Sequence, residues 1–305
     1  MAADYAGKVP PPECAPSTGK RIAVVGGGPG GLSAAYYLQL MGHQTTVFEM
    51  LPKLGGMLRY GIPNYRLPKD RLDEDIQAIL ETGVQVEFGK RIGKDITIQS
   101  LRQEYDAVLI SIGASTDKKL GIEGEHAEGV ISAVSFLRDV GEDKSPDLTG
   151  QEVAVIGGGN VSMDAVRTAK RLGAKKVSIV YRRRTADMTA LPAEIEGAVA
   201  EGIEVLTLKA PSRIKTDENG HVSGIYVTPQ MISKIKDGRA SVCPTGEEDF
   251  LIPCQTLIVA IGQDIESEHF AEAGVPVSRG KIMTERYGGF DNIPGVFAGG
   301  DCASG

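Results

Sequence analysis

Short, uninterrupted apolar runs alternate along this chain with longer segments whose apolar residues recur at helical spacing. The first run, Ile22-Ala23-Val24-Val25, is bounded by polar residues and glycines, the pattern of a strand buried on both faces. Residues 32–40 then read as a helix, Gly42-His43 stops it, and Thr45-Thr46-Val47-Phe48-Glu49 predicts a second strand, all within about 28 residues. The pattern returns 131 residues later: a strand over 153–156, a helix from Met163 to Leu172, and a strand over 176–181. That interval is too long for a solenoid period, so it predicts two domains of one type rather than an array. Two further apolar strands rhyme, at 105–114 and 256–263, ending in Ile112-Gly113 and Ile261-Gly262. Residues 205–254 differ. Asp217-Glu218-Asn219-Gly220 sits between alternating segments and predicts a hairpin of antiparallel strands in a crossover. Residues 1–19, with Pro10-Pro11-Pro12 and the turn Ser17-Thr18-Gly19, read as a Pro-rich linker.

Composition narrows the class. The 305 residues suit about two domains. The formal net charge of −7 argues against a nucleic-acid or anionic-membrane partner, which would favour a basic face. No run of about 18 apolar residues predicts a membrane span, and the first residues lack the apolar stretch of a secretory signal. Glycine, 39 residues or about 13%, is well above the usual ~7%. With no collagen period, the excess belongs to specific turns. The four cysteines (14, 243, 254, 302) never stand in CxxC spacing, which excludes a local dithiol centre, a zinc knuckle and an intact iron–sulfur motif. Free cysteines suit a reducing compartment, the cytoplasm. The four histidines are scattered and support neither a catalytic triad nor a metal site.

The glycines carry the chemistry. Gly26-Gly27-Gly28-Pro29-Gly30-Gly31 follows the first strand and opens the first helix. Gly26 fits the tight turn, Gly28 the close approach of a pyrophosphate, and Gly31 the contact between helix and strand. The free N–H groups and dipole of the helix N-terminus favour that anion. Glu49, twenty-three residues after Gly26 at the end of the second strand, suits a ribose hydroxyl. The second loop, Gly157-Gly158-Gly159-Asn160-Val161-Ser162, ends in serine, so its helix is expected a little farther from the strand. After the following strand stands Tyr181-Arg182-Arg183-Arg184 in place of an acid. A carboxylate there would repel a 2′-phosphate, whereas arginines hold one bidentately, so NADPH is expected over NADH. A third element, Val296-Phe297-Ala298-Gly299-Gly300-Asp301, runs a buried strand into a turn able to face a polyol and a phosphate.

Taken in order, these motifs, together with Leu54-Gly55-Gly56-Met57-Leu58-Arg59-Tyr60-Gly61-Ile62-Pro63, Arg66-Leu67-Pro68 and Ser162-Met163-Asp164, closely resemble the small (beta) subunit of NADPH-dependent glutamate synthase. They also resemble the flavin half of dihydropyrimidine dehydrogenase and the NADPH subunit of ferredoxin:NADP⁺ transhydrogenases. The resemblance covers nearly everything from Lys20 onward. It implies hydride transfer from NADPH to FAD and single-electron release to iron–sulfur clusters. It implies that Gly55, Gly56, Met57 and Leu58 line the flavin. It places Ile112 and Gly113 beside its diphosphate, and Gly300 and Asp301 at its ribityl and phosphate end. The cofactor does the hard chemistry, so no protein nucleophile is expected.

The expected fold is therefore α/β, with two three-layer, Rossmann-like dinucleotide-binding domains and the NADPH domain inserted into the FAD domain. The FAD domain takes residues 20–128 and 268–305, the NADPH domain 129–267. The candidate cofactor-binding residues are Gly26, Gly28, Pro29, Gly30, Gly31, Glu49, Gly55, Gly56, Met57, Leu58, Ile112, Gly113, Gly300 and Asp301 for FAD. For NADPH they are Gly157, Gly159, Asn160, Val161, Arg182, Arg183, Ile261 and Gly262. Compared with the family, a cysteine-rich segment before Lys20 and a helix after Gly-Asp are missing. The chain therefore reads as a fragment, with clusters in a missing N-terminal domain or in a partner. That partner is expected to be an iron–sulfur subunit, such as a glutamate synthase large subunit or a ferredoxin-type protein. The alternative is a non-catalytic nucleotide-binding subunit, a docking piece of a larger redox complex.

Overall fold

The computed structural model describes residues 12–114 and 116–304. The linker reading of residues 1–11 lies outside the described residues. The chain runs β1 (Arg21–Val25), α1 (Pro29–Leu40), β2 (Gln44–Glu49), α2 (Lys69–Leu80), β3 (Gln85–Phe88), α3 (Ile98–Glu104) and β4 (Ala107–Ile110). It continues through β5 (Val130–Ser132), α4 (Ala133–Gly141), β6 (Glu152–Ile156), α5 (Asn160–Arg171), β7 (Lys176–Tyr181), α6 (Pro192–Ala200) and β8 (Glu204–Thr207). The remaining long elements are β9 (Lys209–Thr216), β10 (Val222–Lys236), β11 (Arg239–Pro244), β12 (Phe250–Pro253), β13 (Thr256–Val259) and β14 (Val296–Ala298).

Two compact α/β units result. One takes the described residues up to Tyr60, then 64–116 and from Asp264 on; the other takes 61–63 and 117–263. The expected boundaries at 128/129 and 267/268 lie later than these. Leu120 and Ile122 pack on the core of the second unit, against residues such as Ile214 and Leu257, which draws the connecting segment into it.

The first unit is a five-stranded parallel sheet in the order β14-β4-β1-β2-β3. Ala23, Val24 and Val108 are fully enclosed, as strands covered on both faces require. The second unit repeats the plan as β5-β13-β6-β7-β8, again all parallel. In each sheet the strand that carries the glycine loop, β1 or β6, is central. Its neighbours on either side are the strand ending at Glu49 or Tyr181 and the strand preceding Ile112-Gly113 or Ile261-Gly262. Crevices at the carboxyl ends of such strands are where open α/β sheets bind ligands.

The rhyming strands are shorter than the sequence suggests. The ladders stop at Ile110 and Val259, and beyond them Gly113 and Gly262 take left-handed backbone, φ +67° and +123°. Of the segment at 205–254, the first residues belong to β8 of the parallel sheet; from Lys209 on it is an antiparallel sheet of β9, β10 and β11, with β12 also pairing with β10. The Asp217 carboxylate accepts from the Asn219 and His221 N–H groups at 2.9 and 3.0 Å and shapes the predicted hairpin turn. A second hairpin, β10–β11, turns on Asp237-Gly238, both at positive φ (+51° and +76°), the two-residue turn that Asp-Gly favours. No helix among the described residues is long and apolar enough to cross a membrane.

Candidate cofactor sites

In the first unit Gly28 caps α1 without a side chain, Pro29 occupies the first helical position, and no acid stands in the first turn. The helix thus presents its N-terminal amides with nothing of its own to bond them. Of the loop's glycines, most are required by the fold. A Cβ on Gly26 would lie 2.3 Å from the Ser111 carbonyl oxygen, one on Gly27 2.4 Å from Leu54 Cδ2, and one on Gly31 1.9 Å from the Gly26 carbonyl oxygen. Gly28 differs: its Cβ would meet only Gly56 Cα, at 3.7 Å. The Leu54-Gly55-Gly56 turn lies against this loop, the Gly55 N–H donating to Gly27 O at 2.8 Å. Arg59, buried, donates to the Leu54 carbonyl and pairs with Asp73. Met57 and Leu58, half-buried, open the short helix that follows.

Glu49 reaches the loop but is engaged there. Its carboxylate accepts from the Gly27 and Leu51 N–H groups, both at 2.8 Å. Burial pushes the carboxyl up, against those backbone hydrogen bonds. Ser111, which the sequence did not mark, joins the remaining pieces. A Cβ on Gly30 would lie 2.7 Å from its Oγ, and one on Gly300 3.5 Å. The start of α1, the end of β4 and the Gly299-Gly300-Asp301 turn therefore converge. Gly113 and Gly299 have nothing within 4 Å of an added Cβ, and Asp301 is exposed.

In the second unit a cavity of about 550 Å³ is lined by the loop from Gly157 to Val161, by Tyr181, Arg182 and Arg183, and by Ile261, Gly262 and Gln263. Every candidate residue of this unit lines it. Gly159 caps α5 without a side chain. The Asn160 Oδ1 is engaged, accepting from the Leu191 N–H at 2.9 Å. Ser162 is fully buried and donates to Ala260 O at 3.4 Å. A Cβ on Gly157 would lie 2.5 Å from that hydroxyl, so the missing side chain at 157 makes room for the serine. The three arginines are not equivalent. Arg184 spends Nε and Nη2 on Asp187, at 2.7 and 2.9 Å. Arg183 Nε is buried with no hydrogen-bond partner. A buried donor without a partner is costly, so it points to an acceptor that belongs in the cavity.

Residues 20–305 match the family described as pyridine nucleotide-disulphide oxidoreductase. The chain belongs to that family. Its likeness to the glutamate synthase small subunit is borne out. It is 33% identical over 98% of its length to a putative glutamate synthase [NADPH] small chain from Cereibacter sphaeroides, of which it covers 75%. It is 41% identical to the NADP(+)-dependent formate dehydrogenase subunit beta of Moorella thermoacetica over 95% of its own length and 41% of that protein's. The chain thus spans less than half of that relative. Mycobacterium tuberculosis FprA in complex with NADPH has the same fold, with a TM-score of 0.77 at 22% identity, covering 94% of this chain and 79% of that one.

Family membership sharpens the reading of the cysteines. All four are free. Burial pushes the Cys254 thiol up to about 12 and the Cys302 thiol up as well, so neither is a thiolate at neutral pH. The two loops also suit the family's paired nucleotide cofactors. Gly28, Gly113 and Gly299 each leave open space where a side chain would stand, and Arg183 offers an unpartnered cation. The sequence reading missed Gly27, Ser111 and Arg59. Gly27 lay inside the recognised loop and Arg59 inside the 54–63 motif, whereas Ser111 is marked only by contacts across the fold.

Proposed function

We propose that the first unit holds FAD and the second NADPH, and that the protein passes electrons from NADPH through FAD to an iron–sulfur acceptor. On this reading Gly28, Gly30 and Gly31 offer the α1 amides to the flavin's diphosphate, and Gly55, Gly56, Met57 and Leu58 line the flavin. Ile112 and Gly113 flank the diphosphate, and Gly300 with Asp301 takes the ribityl and phosphate end. Glu49 has lone pairs left for a ribose hydroxyl while it holds Gly27. Gly157, Gly159 and Val161 present the α5 amides to the second diphosphate. Arg182 and Arg183 read the 2′-phosphate, and Ile261 with Gly262 borders the rest of the dinucleotide. Bound flavin supplies the exchange between a hydride donor and one-electron acceptors. The protein binds and orients; no side chain has to act as a nucleophile.

The observation that carries this reading is Arg183, whose buried and unpartnered Nε borders the same cavity as the second glycine loop. The acceptor is an iron–sulfur domain or subunit, such as a glutamate synthase large subunit or a ferredoxin-type protein. Relatives named as beta subunits and small chains support a partner. NADPH use and the four free cysteines support a cytoplasmic location. Anaerobic mixing of the FAD-loaded chain with NADPH tests the proposal: the flavin's visible absorbance should bleach, and faster than with NADH. Tight binding of both cofactors without bleaching would make the chain a nucleotide-binding docking subunit instead.

A further inference from the structure

Arg239 opens β11 directly after the Asp237-Gly238 turn, is exposed, and lines the same cavity as Arg182 and Arg183. It comes from the antiparallel sheet, whereas the other two follow β7 of the parallel sheet. Both chain neighbours of Arg239 are tied to the turn that carries those arginines. Ala240 N–H donates to Asp187 Oδ1 at 2.8 Å, and Arg184 Nη2 donates to Gly238 O at 3.4 Å. Asp187 is the junction. Its fully enclosed carboxylate takes Nε and Nη2 of Arg184 as well as the Ala240 N–H, and its carbonyl accepts from Tyr181 Oη at 2.8 Å. Those bonds, Arg184's first, hold the carboxyl well below the usual range, so the junction stays ionised at neutral pH. No ion pair is found for Arg182, Arg183 or Arg239 among the described residues.

We propose that Arg239 is a third reader of the 2′-phosphate of NADPH, brought to the site by the β10–β11 hairpin, with Arg184 and Asp187 as positioning residues. The inference rests on the reading of the second unit as the NADPH site. A phosphate accepts several charge-assisted hydrogen bonds at once, and guanidinium forks on two separate strands can reach it from different directions. Arg184 is bound to Asp187 and is not among the residues lining the cavity; its contribution is to fix the hairpin that carries Arg239.

Calorimetric titration with adenosine 2′,5′-bisphosphate and with 5′-AMP tests this without any turnover. The wild-type chain should prefer the bisphosphate. Arg239→Ala should weaken the bisphosphate about five- to tenfold, since the arginine is exposed, and leave 5′-AMP within about twofold. Arg239→Lys should recover part of the loss, and the effect should shrink in high salt. Arg184→Ala should cost a similar factor, and Arg184→Ala with Arg239→Ala should be no worse than Arg239→Ala alone. A merely structural Arg184 would instead add its own loss to both ligands. Unchanged bisphosphate affinity in Arg239→Ala, alongside a wild-type preference that Arg183→Ala abolishes, overturns the inference and leaves the NADPH reading standing. A wild-type chain with no preference for the bisphosphate overturns both.

Discussion

Gly28→Ala separates binding from folding at the first loop. Gly28 has φ −81° and ψ −178°, extended backbone that alanine adopts without strain. The new methyl carbon meets only Gly56 Cα, at 3.7 Å, an ordinary van der Waals contact. Its cost to the apo fold should therefore stay within about 0.5 kcal/mol, as for substitutions away from special features. The methyl group nonetheless stands at the uncapped start of α1, where a diphosphate must approach the backbone. Displacing one charge-assisted hydrogen bond there costs about 1.5–3 kcal/mol, or about 10- to 150-fold in affinity. Titrating the apo variant with FAD by fluorescence quenching should show at least that tenfold loss, with an unchanged thermal midpoint. Gly31→Ala is the contrast: its Cβ would sit 1.9 Å from the Gly26 carbonyl oxygen, so it should damage the fold itself. Gly28→Ala that binds FAD within threefold of the parent would refute the diphosphate assignment. A large fall in its thermal midpoint would refute the packing argument.

The other predictions concern charge. Arg183→Ala should weaken NADPH by about 10- to 150-fold, for the loss of a hydrogen bond to a charged group, and NADH by little; equal losses would count against the 2′-phosphate role. Asp187 has a folded-state pKa below its unfolded value of about 3.9, so its contribution is complete above that value and is lost as pH falls further. Exchange of the Ala240 amide, compared between about pH 6 and about pH 3, should accelerate beyond the intrinsic change, and Asp187→Asn should accelerate it already at neutral pH. Glu49 is shifted the other way by burial, so the ionised form is disfavoured and stability falls as pH rises through the folded value. Glu49→Gln removes that pH dependence, but its donating Nε2 replaces one of the two accepting oxygens, so it should still lower the thermal midpoint at neutral pH. Glu49→Ala, which strands the Gly27 and Leu51 N–H groups, should cost about 1–3 kcal/mol.

The sequence by itself determined the two parallel sheets and both glycine loops, because those features are local. A buried parallel strand is an uninterrupted apolar run, and a glycine forced by a contact one helical turn away leaves its mark within six residues, as Gly31 does against the Gly26 carbonyl. Arg182 and Arg183 were legible for the same reason, standing at the end of the strand that follows the second loop. Which arginine is available was not. Arg184 and Asp187 are only three residues apart, yet the Asp187 carboxylate also takes the amide of Ala240, a partner defined only when the hairpin folds back. The Asp237-Gly238 signal for that hairpin was in the chain, but nothing in its spacing said that its strand would deliver Arg239 to a cavity lined by Arg183. Ser111 is the same case in the first unit: only the pairing of β4 beside β1 sets its hydroxyl where a side chain on Gly30 would have to stand. Tertiary structure decided these because strand pairing brings together residues whose separation along the chain carries no periodic or local trace.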